Sequence, residues 1–247
     1  MLVKSLVPGV VRKLRGRTDL TDVIPIYIKK AVLDFSQNYE FDELRYTGPL
    51  GHFIQGQSQY PINYFTQEGH DKVTFVVSWF CFFGTSGAIG QTFATNTGTN
   101  NTGNNLKYRQ PRVVENMSVI PGIPVVYTQV GEQRSIGNYI VGYSPNQNYA
   151  TYMRYQIEHP FPNDEDAKLI AATNIQMPHD WADLIEYAAA EKACDDIGML
   201  EVGTLFHQKL YGNPSKRTPG LIAERLSMQQ RQSEYNNRQL RPMVRRY

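Results

Sequence analysis

Cysteine frameworks, paired histidines and long apolar runs are all missing from this sequence, and each absence removes a class of function. The two cysteines, Cys81 and Cys194, lie in an apolar run and a helical pattern, with no metal-ligating neighbour. They read as buried free thiols, which fits synthesis in a reducing cytosol. The longest apolar run, VTFVVSWFCFF at 73–83, is too short to cross a bilayer as a helix. None of His52, His70, His159, His179 and His207 pairs at HxH, HxxxH or CxxH spacing, so no sequence-local metal site is indicated. The glycines of GTSGAIG (84–90) are not followed by Lys-Ser/Thr, which excludes a Walker phosphate loop, and no G-x-S-x-G elbow exists. The opening MLVKSLVPGVVRKLRGR shows no clear cleavage site and does not read as a signal peptide.

Charge is scarce and unevenly placed. Against a net charge of +2, residues 1–17 carry +5 and residues 215–247 carry +6, which leaves −9 for the middle. An acidic body with basic ends implies arms that seek an acidic surface, either nucleic acid or protein. No aromatic–basic interleaving or helix-turn-helix pattern accompanies the basic ends, and Arg and Tyr are common interface anchors, so protein docking is favoured. The 16 tyrosines suit either contact surfaces or a β-rich core.

The apolar spacing predicts a helix over 22–38, with Thr21 as N-cap, Pro25 in the first turn and a stripe of Ile24, Ile28, Ala31 and Phe35. ELRYTGPL and QYPINYF read as short extended pieces. VTFVVSWFCFF reads as a strand buried on both faces, with Phe75, Val77, Trp79, Cys81 and Phe83 opposite Val76, Phe80 and Phe82. Residues 84–105 are nearly all turn-formers and predict a mobile loop or hairpin tip. IPVVYTQV and NYIVGY add two strands. TYMRYQIE alternates Thr151, Met153, Tyr155 and Ile157 with a wetter face of Tyr152, Arg154, Gln156 and Glu158. KLIAATNI alternates again, with Leu169, Ala171, Thr173 and Ile175 on the core side, so 151–175 predicts a hairpin turning at HPFPNDED. Asp180 is the expected N-cap of an Ala-rich helix from Trp181, and GTLFHQKLYG gives a shorter helix. Beyond Met228 the chain is almost wholly polar, the composition of a tail that orders on a partner.

The fold class expected is α+β: an antiparallel helical bundle, an inserted antiparallel β-sheet or sandwich, and an extended basic C-terminal arm. The divisions are 1–43 for an N-terminal arm and first bundle helix, 44–178 for the β region, 179–213 for the bundle helices and 214–247 for the arm. Glu68, His70 and Asp71 read as a solvated turn, and Glu158 with His159 before Pro160 as a strand end. No catalytic, cofactor-binding or metal-binding residue is expected, and no enzymatic activity.

One resemblance rests on the order of motifs. An amphipathic helix leads into FDELRYTG and QGQSQYPI; a Tyr-rich strand, HPFPND, AATNIQMPHDW and an Ala-rich helix come much later. This order resembles the head-to-tail adaptor (connector or ring) proteins of tailed, particularly short-tailed, bacteriophages. It covers about 20–66 and 149–212, and leaves 67–148 as an enlarged insertion. The resemblance implies a structural virion protein at the head–tail junction, made in the host cytoplasm and without a membrane role. It implies a homo-oligomeric ring of about twelve copies that joins the portal protein to further tail proteins around the DNA channel, without sequence-specific DNA binding. Trp181, Leu184, Tyr187, Ala188 and Phe206 would then line subunit contacts. Leu221, Ile222, Arg225, Leu226, Arg231, Tyr235, Arg238, Arg241, Arg245, Arg246 and Tyr247 would grip the portal. The rival reading is a β-sandwich carbohydrate- or receptor-binding virion or surface module with Trp79 and tyrosines as stacking platforms. A third, a hydrolase, would need His159 or His179.

Overall fold

The computed structural model describes residues 1–70, 72–82, 103–130, 138–163, 166–213, 215 and 218–239, the last nine of these by backbone alone. The protein is a mixed α+β chain with seven α-helices and several antiparallel sheets among the described residues. Helices α1 (Val3–Lys13) and α2 (Ile24–Asn38) come first. Strands β1 (Arg45–Thr47), β2 (Gly51–Phe53), β3 (Gln59–Pro61), β4 (Val73–Phe82), β5 (Gly103–Asn105) and β6 (Lys107–Tyr108) follow. After α3 (Pro111–Ser118) come β7 (Pro121–Gly122), β8 (Val126–Val130), β9 (Asn138–Gly142), β10 (Ser144–Pro145) and β11 (Tyr149–Ile157). Then come α4 (Ala167–Ala171), α5 (Ala182–Asp196), α6 (Leu200–Tyr211), the short strands β12 (Gly212–Asn213) and β13 (Thr218–Pro219), and α7 (Leu221–Gln239). The chain forms two compact units, Met1–Asp34 with Phe161–Tyr247, and Phe35–Pro160.

The first unit is helical and draws on both ends of the sequence. Val3, Leu6, Val10 and Leu14 recur at helical spacing and are buried, so the basic N-terminal segment is a packed helix where the sequence predicts an arm. α1 packs against α5. Lys13 on α1 reaches Asp183 (2.8 Å) and Glu186 (2.6 Å) on α5. Burial disfavours the Lys13 ammonium, but the two carboxylates outweigh it and hold its pKa above the ordinary lysine value. In α2 the expected stripe is buried, while the helix begins at Ile24; Thr21 does not cap it, and its hydroxyl donates to Thr18 O at 2.7 Å.

Three expectations for the second half fail. Residues 168–175 are not a strand: Ala167–Ala171 is a helix, and the Asp166 carboxylate caps it by accepting from Lys168 N–H at 2.8 Å. Good helix formers and a cap outweigh a four-step alternation. Ile170 is therefore buried and Leu169 exposed, while Thr173 and Ile175 hydrogen-bond the first residues of the chain. Asp180 is not an N-cap either: a 3₁₀ turn at His179–Trp181 precedes α5, and the Asp180 carboxylate accepts from Arg225 at 3.3 Å. The expected extended arm is helical through Gln239.

The second unit holds two sheets whose inner faces share one core. The first has the order β1-β11-β4-β5, with β2 also on β11; the second has the order β3-β9-β8-β6. Pairing is antiparallel except for β6 with β8 and the small β7–β10 ladder, so the expected all-antiparallel sheet is mixed. Strands β4, β8, β9 and β11 fall where the period-two patterns put them. The faces of β4 do not alternate as predicted. Opposite β11 the register skips Val77 and Thr74, and these two bulges make Val73, Val76 and Trp79 face the same core. The other face is only half-buried, with Phe80 and Phe82 stacked on Tyr152 at 5.2 and 5.7 Å. Of the predicted loop 84–105, Gly103–Asn105 form β5 and the rest lies outside the described residues, as does Phe83. α3, which the sequence pattern does not announce, starts with Pro111 at its first turn and packs on β8 and β9. Gly142 makes that packing possible, because any side chain there would meet Val126, Met117 and Val114.

Trp79 sits at the centre of this core with no exposed surface. Its ring meets Phe53 (5.4 Å) and Phe65 (4.9 Å), and Tyr127 (5.2 Å) and Tyr139 (5.1 Å) from the second sheet. Its indole N–H donates to Thr151 Oγ1 at 2.8 Å, so the polar edge is satisfied inside the core. Trp79→Ala is expected to cost about 3–5 kcal/mol, measured by denaturant unfolding of the full chain. A loss below about 1 kcal/mol would mean that Trp79 does not join the sheets.

Gln156, expected on a wet face, is fully buried. Its Nε2 donates to Ser36 O and Tyr39 O, both at 2.9 Å, and its Oε1 accepts from Phe41 N–H at 2.6 Å. Two of these partners are carbonyls released at the C-terminal end of α2. Gln156→Leu keeps the volume and removes three hydrogen bonds, so it should destabilise by about 3 kcal/mol; Gln156→Glu should restore less than half of that.

Candidate functional surfaces

The groups able to do chemistry are dispersed, and several are bonded to their neighbours. His70 is half-buried, with Nδ1 2.8 Å from the Tyr155 hydroxyl, which also accepts from Gln67 N–H at 2.8 Å. Its ring packs on Tyr46 at 4.3 Å, so the predicted solvated turn is anchored by its histidine; Asp71 lies outside the described residues. His159 is buried, and its backbone N–H donates to Ser36 Oγ at 3.3 Å. Glu158 instead pairs with Lys72 at 3.6 Å and accepts from Gln37 at 3.2 Å. His52 and His179 are exposed, and His207 bonds Glu191 at 2.7 Å. Among the described residues no group of three or more His, Cys, Asp or Glu could hold a metal ion, and no helix is long and apolar enough to cross a membrane.

Burial pushes the buried thiols and phenols toward their neutral forms. It raises Cys81 to about 12 and Tyr127 to about 12, and it raises Tyr60, Tyr139 and Tyr155. It also raises Cys194, with Asp195 and Glu191 adding to the effect. Neither cysteine offers a thiolate near neutral pH. An open cleft of about 720 Å³ lies against α6 and the β12–β13 ladder. Among the residues that line it, His207 bonds Glu191 on α5 and Asn213 bonds Gln208 (3.3 Å).

The residues expected at subunit contacts separate into two groups. Trp181, Leu184 and Ala188 are buried within the helical unit and have no surface to offer a neighbour. Tyr187 and Phe206 are half-buried and adjacent, with ring centroids 5.8 Å apart. The Tyr187 ring is flanked by the ammonium groups of Lys13 and Lys209, each 4.2 Å from its centre.

The residues expected to grip a portal begin on α7. Ile222 is buried, Leu221 and Leu226 are half-buried, and Arg225 is engaged by Asp180. α7 is set against the end of α6 by Gly212, at φ +93°, and Gly220, whose α-carbons approach each other's backbone too closely for any side chain. Arg231, Tyr235 and Arg238 lie on the helix described by backbone alone. Arg241, Arg245, Arg246 and Tyr247 lie outside the described residues.

Sequence patterns gave no notice of one surface. Val113 on α3, and Val119, Ile120 and Ile123 in the turn after it, are exposed aliphatics within eleven residues. The only sequence signal was the clustering of β-branched residues around Pro121. Trp79, the expected stacking platform, has no exposed face and cannot hold a sugar.

Comparison of the chain with protein-family models and with curated proteins gives no match.

At pH 8 neither cysteine of the native protein should react with a maleimide, and two equivalents should react in denaturant. Rapid native labelling of Cys81 would contradict its enclosure.

Proposed function

We propose that this protein is a structural component of a phage virion that forms a ring at the head–tail junction. The observation that carries the reading is the order of elements. Both ends of the sequence build one helical unit, and the β unit occupies the sequence between them. That is the sequence arrangement of a helical bundle with an inserted β region, which the resemblance to head-to-tail adaptors calls for. The finer architecture, an antiparallel bundle with the sheets inserted, belongs to the same proposal.

The distribution of chemistry supports a structural role. Buried thiols and phenols are held neutral, and the rings of His70 and His207 bond neighbouring side chains. Portal protein on one side and further tail proteins on the other are the proposed partners, with DNA passing through the channel. In this reading α7 and the residues beyond it form the portal-binding arm. It starts from a fixed base, because Ile222, Arg225 and the Gly212–Gly220 contact hold the first turn of α7. A glycan-binding module has lost its strongest candidate residue with the burial of Trp79.

Deleting residues 227–247 keeps that base and should leave circular dichroism of the β unit and the unfolding midpoint close to wild type. The same deletion should abolish co-purification with the portal protein of the phage that encodes this chain. Retained portal binding would overturn the assignment of the arm.

A further inference from the structure

The exposed aliphatics that follow α3 are held on a fixed backbone. Ile120 N–H and Tyr143 N–H both donate to Met117 O, at 3.1 and 3.2 Å. Ser144 N–H donates to Ile120 O at 2.9 Å, and Asn146 N–H to Gly122 O at 3.2 Å. Tyr143 adopts φ +66°, a strained conformation for an aromatic residue, and its ring lies against Gly122. On this base Val119 is 79% exposed, and Val113, Ile120 and Ile123 are exposed within the same eleven residues. Arg109 and Arg112 flank the stretch, both exposed and without an acidic partner among the described residues. Glu115 is exposed in the same stretch, so the rim is mixed with a cationic excess. Exposed aliphatics on a fixed backbone with a charged rim have the anatomy of a docking surface.

A second surface has the opposite rim. On α6, Leu200 is 65% and Leu205 63% exposed. Glu201 lies between them in sequence, and Asp195 lies at the α5–α6 corner, with Oδ1 beside Gly203. Both carboxylates are exposed, and neither makes an ion pair among the described residues.

We infer that these surfaces bind each other between copies: the Val119–Ile120 turn of one protomer docks on Leu200 and Leu205 of the next, with Arg109 and Arg112 facing Glu201 and Asp195. Charge complementarity selects a second copy as the occupant, since the first surface is net cationic, with Arg109 and Arg112 against Glu115, and the second carries two unpaired carboxylates. The two surfaces differ, so the contact is heterologous; repeated, it makes a ring if the rotation closes and a filament if it does not. The inference rests on the ring proposed above and names the surfaces that would build it.

Sedimentation velocity and negative-stain microscopy of the full chain test it, on wild type and on a double variant, Val119→Asp with Ile120→Asp. Both positions are exposed, so circular dichroism and the melting midpoint should not change. The double variant should need at least about tenfold more protein to assemble. Arg112→Glu and Glu201→Arg should each weaken assembly, and the two together should restore it. Wild-type rings that persist unchanged in the double variant would overturn this contact and leave the ring standing. A filament or dimer that the variant dissolves would support the contact and overturn the closed ring. A wild-type monomer at every concentration would overturn both.

Discussion

An inserted unit is possible only if the chain leaves and returns at neighbouring points, and in this protein a single buried amide helps to meet that condition. Gln156, near the end of the last long strand, holds the carbonyls of Ser36 and Tyr39 and the N–H of Phe41. Three residues later His159 N–H reaches Ser36 Oγ. The outgoing chain at 35–41 and the returning chain at 156–160 are thereby tied side by side within the β unit. Without that tie the two chain ends would face the loop-closure entropy of the whole insertion before α1 could meet α5.

Within the β unit the excess of aromatic residues serves the core. Trp79, Tyr60, Tyr139 and Tyr155 are fully buried, and the two sheets meet through Trp79. Trp79, which suggests ligand stacking in the sequence, is structural, and the surfaces left for recognition are aliphatic and charged, with single exposed tyrosines such as Tyr64, Tyr108 and Tyr211. Recognition of another folded protein fits such surfaces better than the binding of a small molecule, which needs a concave, mostly apolar pocket.

Much of the fold was legible because several elements carry strong periodicity. The stripe of Ile24, Ile28, Ala31 and Phe35, the alternation of Thr151, Met153, Tyr155 and Ile157, and the Ala-rich run of α5 each fix an element and its buried face. The failures have physical causes. Pro8 and Gly9 interrupt the helical pattern of α1, and its cations made it look like an arm. α4 is five residues long, too short for periodicity to separate helix from strand, so its Asp166 cap decides. The bulges at Thr74 and Val77 shift the faces of β4, and they arise from pairing with β11 that local sequence does not encode. Gln156 could not be told from a surface residue because its three partners lie 115 to 120 positions away. The candidate surfaces were the least legible, since exposure of Val119 or Leu205 depends on which neighbours fold over it.

The place proposed for this protein is the head–tail junction of a phage particle, where imaging can locate it. A cryo-electron microscopy reconstruction of the purified phage, with this protein marked by an antibody fragment, should show symmetric ring density between the portal and the tail, around the DNA channel. Label on the capsid surface or at a fibre tip, or a particle that lacks the protein, would contradict the account.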